Sequence, residues 1–451
     1  MFRSRFFVMA CAGLLFACTA MADEPGFEPI FDGRSLHGWR GQDMSFWSVE
    51  DGAITGTISL DHAPPMNQYL VWQPELVENF ELKLDFRLTG SNTNITNGGF
   101  QFRSRRLPNG DVAGYQVDNN FGQPWKVRLY DEFGRHDLAL EGERSRFDKD
   151  GVRHVEKLSL DEGASDFHLD QWHEYHLIAV GEHLTLRING HLVAECTDGD
   201  PQQFEALGVL AMQLHTGPPM KAQFRNLRLK RLPPAANLSV RDRLLATAAL
   251  DWRPGERTTA HQPPLKLVGN ATLVKAERAD SGAAQFGGGY FDAGPDWNSS
   301  GEAITVYVRA KPQDGKWHAP LFSKTSGPGQ SNFNLHSVTS AGGDQMVFEV
   351  TTDQGSFKAD FPLSRIDTAG WHGIVARYDG RSIELVCDGS QMTSAPAAGR
   401  LVPNKAPLLI GAEMQSGQAA RTFSGEIAEA ALWTRALSER EIKVLSAGGS
   451  P

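Results

Sequence analysis

The chain has 451 residues, with 44 Lys and Arg against 54 Asp and Glu, and a formal net charge of -10. This balance, and the lack of a basic cluster interleaved with aromatic residues, argues against a nucleic-acid partner and favours neutral or polar ligands. The 46 Gly, 24 Pro and 25 Phe are typical of many short strands joined by tight turns, and the length suits two domains of sandwich size.

The N-terminus has the pattern of an export signal. Residues 3–5 carry two arginines, an apolar run covers 6–20, and 20–22 is a small-x-small cleavage site. We therefore predict a signal peptide over 1–22 and an exported protein, periplasmic or extracellular. A second interpretation stays open, a lipoprotein anchored through Cys18. The apolar run is shorter than a membrane span of about 20 residues, so we predict no membrane span.

Strand-like segments follow from Phe27 to Leu232, with turn signals between them. Polar and apolar residues alternate in FELKLDFRL, GGFQFRS, GYQVDNN, KVRLYDE, HEYHLIAV, HLTLRINGHLVAEC and KAQFRNLRLK. The Asn189-Gly190 pair is a strong signal for a two-residue hairpin. We predict a first β-sandwich domain over 23–232.

The clearest domain boundary is the proline-rich segment that follows. Proline removes a ladder donor and restricts the residue before it, so we predict a linker over 233–237. Ser239 and Asp242 then form a cap in front of a short helix that would start the second domain, over 238–451.

The second domain repeats the strand pattern in ITVYVRA, MVFEV, HGIVARYDG, SIELVCDG and ALWTRAL. Helix is nearly absent, except where a Ser438 and Glu441 capping box opens EREIKVL. Cys196 and Cys387 lie one in each predicted domain within apolar strand-like runs, and we expect both to be free and buried. The whole pattern predicts an all-β chain of two tandem β-sandwiches.

In four segments of the first domain, alternation separates an apolar face from a polar one. A solvated sheet face is common, but it usually carries Lys, Glu, Thr and Ser. Here the polar side chains are planar groups that suit sugar hydroxyls and carbonyls, so we predict a site for an oligosaccharide or glycoside substrate. The predicted site residues are Gln101, Arg103, Gln116, Asp118, Arg128, Tyr130, Gln213 and His215.

Residues 27–232 carry an ordered set of motifs: FDGRSLHGW, WSVEDGAI, FELKLDFRL, GGFQFRS, GYQVD, WHEYHLIAVGEHLTLRINGHLVAE and FRNLRLKRL. In this order they resemble the 3-keto-disaccharide hydrolase family. The resemblance implies a concanavalin A-like jelly roll and cleavage, by hydrolysis or a lyase step, of glycosides whose 3-hydroxyl has been oxidised to a ketone.

Such a ketone acidifies the hydrogen on carbon 2, so the reaction needs a proton acceptor, an enolate stabiliser and a donor to the leaving oxygen. By the resemblance, His215 and Asp118 are candidates for proton transfer and Arg103 for the oxyanion. The candidates for substrate binding are Gln101, Gln116, Gln213, Tyr130 and Arg128.

Each catalytic candidate has a structural alternative. His215 could be a rim histidine, Asp118 could cap the turn that follows it, and Arg103 could pair with a surface carboxylate. We predict no cofactor: a divalent metal could polarise the ketone, but the sequence shows no ligand set for one.

The second half is similar to laminin-G-like concanavalin A-type domains through ITVYVRAKP, PLFSK, WHGIVARYDG, IELVCDG, APLLIG and FSGEIAEAALWTRALSEREI. The resemblance implies a glycan-binding module, and His336, Trp371 and His372 are interpreted as packing residues. An alternative function for the whole chain is a non-catalytic glycan-binding protein made of two lectin-like sandwiches. A retaining endoglucanase is set aside, because the E-x-D-x-E strand that would supply its two carboxylates is absent.

Overall fold

The structure is a computed structural model. It describes residues 24–447 except 74–75, 91–94, 108, 123, 202, 235–238, 246–247, 254–264, 276–281, 296, 300, 302, 318–319, 328, 342 and 368. The predicted signal peptide, with Cys18, lies outside the described residues, as does most of the predicted linker.

In the described part of the first domain, the regular elements are strands and one 3-10 turn at Met44–Phe46. Its strands are β1 (Glu28–Pro29), β2 (Trp39–Gly41), β3 (Trp47–Glu50), β4 (Ala53–Ile58), β5 (Gln68–Trp72), β6 (Phe80–Gly90), β7 (Asn97–Arg106), β8 (Val112–Asn120), β9 (Val127–Glu132), β10 (His136–Leu140), β11 (Glu143–Phe147), β12 (Arg153–Lys157), β13 (His173–Val180), β14 (His183–Ile188), β15 (His191–Asp198), β16 (Val209–Leu214) and β17 (Met220–Arg231).

These strands form two sheets that pack face to face. The ten-stranded sheet has the order β12-β11-β15-β14-β13-β6-β17-β4-β3, with β1 on β17, and the seven-stranded sheet has the order β10-β9-β8-β7-β16-β5-β2. Their inner faces share one apolar core, to which β6 contributes Leu84 and β7 contributes Phe100. Full burial of a side chain of this size contributes about 1.5–3 kcal/mol to stability, so the core fixes which face of each strand points outward.

Local sequence explains the strand geometry. Along β6 every second residue from Phe80 to Leu88 is buried while the residues between them are partly exposed, which is the period of a half-buried strand. The predicted hairpin is confirmed, since Asn189 and Gly190 have φ angles of 51° and 85° and join β14 to β15.

The second domain repeats the two-sheet plan. Its strands are β18 (Leu250–Trp252), β19 (Lys266–Val268), β20 (Ala271–Lys275), β21 (Gly282–Gly287), β22 (Tyr290–Asp292), β23 (Ile304–Pro312), β24 (Pro320–Thr325), β25 (Ser331–Ser340), β26 (Gly343–Thr352), β27 (Gly355–Pro362), β28 (His372–Tyr378), β29 (Ser382–Cys387), β30 (Ser390–Pro396), β31 (Leu409–Ile410), β32 (Glu413–Gln415), β33 (Gln418–Ala420) and β34 (Ser424–Trp433).

An eight-stranded sheet, β20-β21-β34-β23-β28-β29-β30 with β18 on β34, packs on a seven-stranded sheet, β19-β22-β31-β24-β25-β26-β27, over a second apolar core. β32 and β33 form a separate hairpin. The all-β prediction of two tandem concanavalin A-like jelly-roll sandwiches is confirmed.

Both predicted helices are present. Helix α1 (Val240–Leu245) and helix α2 (Glu439–Ala447) contact each other, and Leu245 and Leu445 share an apolar cluster with the outer face of the eight-stranded sheet. The capping box at α2 is confirmed, because the Ser438 backbone N–H donates to Glu441 Oε2 at 2.8 Å and the Glu441 N–H donates to Ser438 Oγ at 3.3 Å.

Two further expectations concern single residues and the membrane. Cys196 and Cys387 are free and buried, as predicted. Within the part of the chain that the structure describes, no helix combines the length and the apolar character needed to cross a membrane.

Candidate functional site

The predicted polar face lies on the outer side of the seven-stranded sheet of the first domain. Cross-strand pairing sets Gln213 opposite Gly99, Gly99 opposite Asp118, and Asp118 opposite Arg128. A neighbouring row sets Gln101 opposite Gln116, and Gln116 opposite Tyr130. The structure therefore brings six of the eight predicted site residues onto one face of adjacent strands.

Hydrogen bonds join the amides of this face into a chain. Gln116 Nε2 donates to Gln213 Oε1 at 2.7 Å and lies 3.4 Å from Asp118 Oδ1, while Gln213 Nε2 donates to the Tyr69 hydroxyl at 3.3 Å. Tyr69 was missed because it sits in QYLVW, a segment that shows no alternation and is buried throughout. The network holds the amide planes in fixed orientations.

Gln101 is the exception within this network. Its side chain is 0% exposed, and neither its amide oxygen nor its amide nitrogen has a hydrogen-bond partner among the described residues. Buried amides are normally paired, so an unpaired donor and acceptor in the middle of a polar face mark a position built for a further polar partner.

Asp118 is almost completely buried and is held by Arg128. Arg128 Nε donates to Asp118 Oδ2 at 2.8 Å, and a second guanidinium nitrogen lies 2.7 Å from the same oxygen. Burial raises the pKa of Asp118, while the positive charges of Arg128 and, more weakly, of His215 act in the opposite direction. This carboxylate fixes the guanidinium in place, which is a positioning role.

Arg128 is oriented but not saturated. Besides Asp118, it donates through Nη1 to Asp137 Oδ1 at 2.6 Å, and its guanidinium carbon lies 4.2 Å from the centroid of the Tyr130 ring. Burial alone would lower the pKa of Arg128, but the two carboxylates raise it. Three of five N–H groups serve these contacts, so two remain to stabilise negative charge on a ligand.

Glu132 is a functional candidate that the sequence interpretation missed. It pairs with Gly114 at the end of β9, on the same side of the strand as Tyr130 and Arg128. Burial first, and then the negative charges of Asp118 and Asp111, raise the pKa of Glu132 to about 7. A partly buried carboxyl that ionises near neutral pH is suited to accept and return a proton. The period-2 pattern of KVRLYDE already placed it on the polar face.

His215 directly follows β16, two residues beyond Gln213, and is partly exposed. Its Nδ1 lies 2.6 Å from the Thr216 carbonyl oxygen. Because a carbonyl only accepts, Nδ1 carries the proton, and in the neutral ring Nε2 keeps its lone pair. The residue is thus held in one tautomer with a proton-exchanging nitrogen that is free to face a ligand.

Arg103 does not join this face, so the predicted position of its side chain was wrong. A bulge shifts the register between Phe102 and Arg105, and Arg103 takes a φ of 47°. Its guanidinium is fully buried, donating to the Glu78 carbonyl at 2.7 Å, to Asn79 Oδ1 at 3.1 Å and to two further carbonyls. Burial lowers its pKa to about 10. Arg103 ties loops together inside the domain.

One group of three potential metal ligands occurs among the described residues, His372, Cys387 and Asp388 in the second domain. His372 Nδ1 lies 2.6 Å from Asp388 Oδ2, and its Nε2 contacts the carbonyl of Asp367. Both ring nitrogens therefore donate, and hydrogen bonding raises the pKa of His372 although burial alone would lower it. In this arrangement both ring nitrogens of His372 are engaged by oxygen acceptors, so the contacts that the structure shows are hydrogen bonds that join His372 to Asp388 and Asp367.

Two tandem jelly rolls, the first with an amide-rich polar face, define a carbohydrate-active β-sandwich protein. Residues 26–230 match the family model of the 3-keto-alpha-glucoside-1,2-lyase-like domain. Residues 286–443 match the model of the Concanavalin A-like lectin/glucanases superfamily. The two matches follow each other along the chain in the order that its motifs predicted.

No curated protein matches the sequence. Similar solved structures include domain 4 of AbnA, an extracellular arabinanase from Geobacillus stearothermophilus, with 17% identity, 41% of this chain and 89% of that chain covered, and a TM-score of 0.33. The carbohydrate-binding module CBM66 from Bacillus subtilis has 14% identity and a TM-score of 0.28, and the match covers 43% of this chain and 95% of that chain. CBM40 of a Ruminococcus gnavus sialidase has 18% identity and a TM-score of 0.28, and the match covers 34% of this chain and 85% of that chain. At these values the likenesses say nothing about the ligand of this chain.

Proposed function

We propose that the first domain cleaves the glycosidic bond of 3-keto-glycosides, and that the second domain is a glycan-binding module of the same exported protein, periplasmic or extracellular. The observation that carries the catalytic part is the carboxyl of Glu132, whose pKa burial raises to about 7, on one face with the Arg128 guanidinium. The family match of the first domain supports the choice of a 3-keto substrate.

The proposed reaction is an elimination. The Glu132 carboxylate takes the proton from carbon 2, and the electrons of the broken C–H bond form an enolate whose oxygen accepts hydrogen bonds from Arg128. The C1–O bond then breaks, a C1=C2 double bond forms, and the ketone is restored. The Glu132 carboxyl, which now carries the carbon 2 proton, returns it to the leaving oxygen. If water adds across C1=C2 afterwards, the net result is hydrolysis.

Substrate recognition falls first to the groups that a sugar can reach, which are the partly exposed Arg128 and Tyr130 side chains and His215. Gln101, Gln116 and Gln213 are at most 1% exposed, so they form the neutral floor of the face and add no charge that would favour a charged sugar. Tyr130 lies beside them, and its hydroxyl is 2.8 Å from His136 Nδ1. Asp118 acts in this proposal by positioning Arg128, and its earlier assignment to proton transfer passes to Glu132.

The test is to incubate the chain lacking residues 1–22 with 3-keto-trehalose and with ordinary trehalose. We expect release of glucose from the oxidised sugar alone, since only its carbon 2 hydrogen is acidified. A sugar product lighter by one water identifies elimination. Deuterium at carbon 2 of a hydrated product, formed in heavy water, identifies hydrolysis by re-addition. Cleavage of both substrates at similar rates would refute the mechanism, and binding without cleavage would support the non-catalytic alternative.

The domain assignment is tested by deletion. Removing residues 237–451 should weaken retention on polymeric glycan and leave turnover of a small soluble 3-keto-glycoside nearly unchanged, because tethering raises local concentration without altering the chemistry. β17 ends at Arg231 and α1 packs on the second sandwich, which supports a cut between them. An equal loss on the small substrate would contradict an anchoring role.

A further inference from the structure

The second domain contains a cavity of about 270 Å³ between β25, β26 and the β32–β33 hairpin. It is at the small end of ligand pockets, which start near 300 Å³, and suits one ring of a sugar rather than a long chain. To its polar lining β25 contributes Asn334 and His336, which lie two residues apart on one face of the strand.

The protonation of His336 follows from its partner. An Arg421 Nη2 nitrogen lies 2.9 Å from His336 Nδ1. A guanidinium only donates, so Nδ1 accepts and Nε2 carries the ring proton. His336 is only 8% exposed, and its Nε2 is buried without a hydrogen-bond partner within the described part of the chain. His336 therefore contributes a fixed donor to the cavity and is more than a packing residue.

Asn334 contributes the matching acceptor. Its Nδ2 donates to Glu413 Oε2 at 3.0 Å, which orients the amide, and its Oδ1 is buried without a partner among the described residues. Glu413 also accepts from Arg421 Nε at 2.7 Å and from Gln415 at 2.6 Å. The Glu413 carboxylate thus orients the Asn334 amide directly, and it orients His336 through Arg421.

The rest of the lining favours an uncharged ligand. Arg421 and Lys358 are balanced by Glu413 and Glu349, so the cavity has no net charge to attract a carboxylated sugar. Apolar surface comes from side chains suited to the C–H face of a pyranose, namely Val338, Val347 and Met414.

We propose that this cavity binds a neutral hexose unit of a glycan, whose adjacent hydroxyls accept from His336 Nε2 and donate to Asn334 Oδ1. The inference rests on the proposed glycan-binding role of the second domain and adds its site and ligand class. Burial and then the charge of Arg421 lower the pKa of His336 to about 4, so the ring stays neutral and binding should be constant between about pH 5.5 and 8. The charged groups that line the cavity around His336 are Arg421, Glu413, Glu349 and Lys358.

The probes are methyl glucopyranoside, methyl galactopyranoside and methyl mannopyranoside in both anomers, with N-acetylneuraminic acid as the charged comparison. Binding to the chain lacking residues 1–22 is measured by calorimetry. We expect at least one neutral hexoside to bind. His336→Leu and Asn334→Leu should each weaken it by about tenfold or more, the effect of one lost hydrogen bond of about 1.4 kcal/mol. His336→Gln, which keeps an N–H donor, should stay within about threefold.

Gln391→Leu, an exposed amide on the other sheet, is the matched control and should bind normally. If a leucine variant does not fold, the imidazole N–H signal of His336, assigned with His336→Gln, should still shift on adding hexoside to the wild type. Normal binding by folded leucine variants, or no shift of that signal, overturns this site while glycan binding by the domain stands. Binding of N-acetylneuraminic acid alone overturns the neutral class. If the protein binds none of the hexosides and no soluble glucan or mannan, the glycan-binding role of the second domain is refuted as well.

Discussion

Replacing Glu132 by glutamine separates its proposed chemistry from its place in the fold. The substitution keeps the size and one hydrogen-bonding oxygen but removes the ionisable group, so the polar face should keep its shape. If Glu132 takes the carbon 2 proton, turnover of a 3-keto-glycoside should fall by about 10²–10⁴-fold. Glu195→Gln is the control, because Glu195 pairs with Arg144 on the other sheet. Turnover by this variant should equal that of the wild type.

The same substitution has a predicted effect on stability. The folded carboxyl ionises near 7 against an ordinary pKa of 4.5, so the folded state holds its proton more tightly than the unfolded state does. The stabilising contribution of Glu132 is present at low pH and is lost as the pH rises from about 4.5 through 7. The full shift corresponds to roughly 3 kcal/mol. Glu132→Gln should therefore be more stable than the wild type at pH 8, by about 1–3 kcal/mol, and nearly equal to it below pH 5.

Urea unfolding of both proteins at pH 5 and pH 8, with turnover assayed in parallel, distinguishes the outcomes. A variant that retains most of its turnover excludes Glu132 as the base. A stability difference that is the same at both pH values shows that the carboxyl is not perturbed, and the structural reasoning from burial and neighbouring charge fails. If both results were obtained, His215 would again be the candidate for proton transfer.

Three other substitutions, with Leu214→Ala as a control for the first, test the remaining site residues. His215 lies at the other end of the polar face from Glu132, so His215→Ala should mainly raise the KM and melt normally. Leu214→Ala, which faces the core, should instead cost about 2–5 kcal/mol of stability. A loss of turnover of about 10²–10⁴-fold in His215→Ala would return the proton transfer to this histidine. Arg103→Ala should destabilise the fold by about 3–5 kcal/mol in a urea titration, and a stable variant with lost turnover would restore its oxyanion role. Asp118→Asn should lower the pKa of Glu132 and move the acid limb of the pH–rate profile to lower pH; an unmoved limb would mean that the two carboxyls do not interact.

The polar face could be predicted from the sequence because strict alternation leaves little freedom. Val117 and Leu129 must enter the core, so Gln116, Asp118 and Arg128 must point away from it. Pairing of the strands was not needed for this conclusion. The distances between the side chains, and the cross-strand rows that bring residues 97 positions apart to 2.7 Å, depend on strand order, which alternation does not contain.

Arg103 shows where alternation fails. The bulge after Phe102 adds a residue to β7 without a change of hydrophobic pattern in GGFQFRS, so the sequence gives no sign that the arginine turns inward. What holds it is a set of backbone carbonyls from distant loops, including that of Gly181 at 2.7 Å. Backbone acceptors are the same for every residue type, and for that reason no side-chain pattern could have indicated them.

The perturbed pKa of Glu132 has a different origin, which lies in how charge is distributed on the face. Arg128 is engaged by Asp118 and Asp137, so its positive charge is largely compensated before it can act on Glu132. The other charged groups that act on Glu132 are carboxylates, chiefly Asp118 and Asp111, and they bring the wrong sign. Among the residues that the structure describes, no ion pair to Glu132 offsets these carboxylates, and the amides of the face add no positive charge. Glu132 is therefore a carboxyl that can exchange a proton near neutral pH.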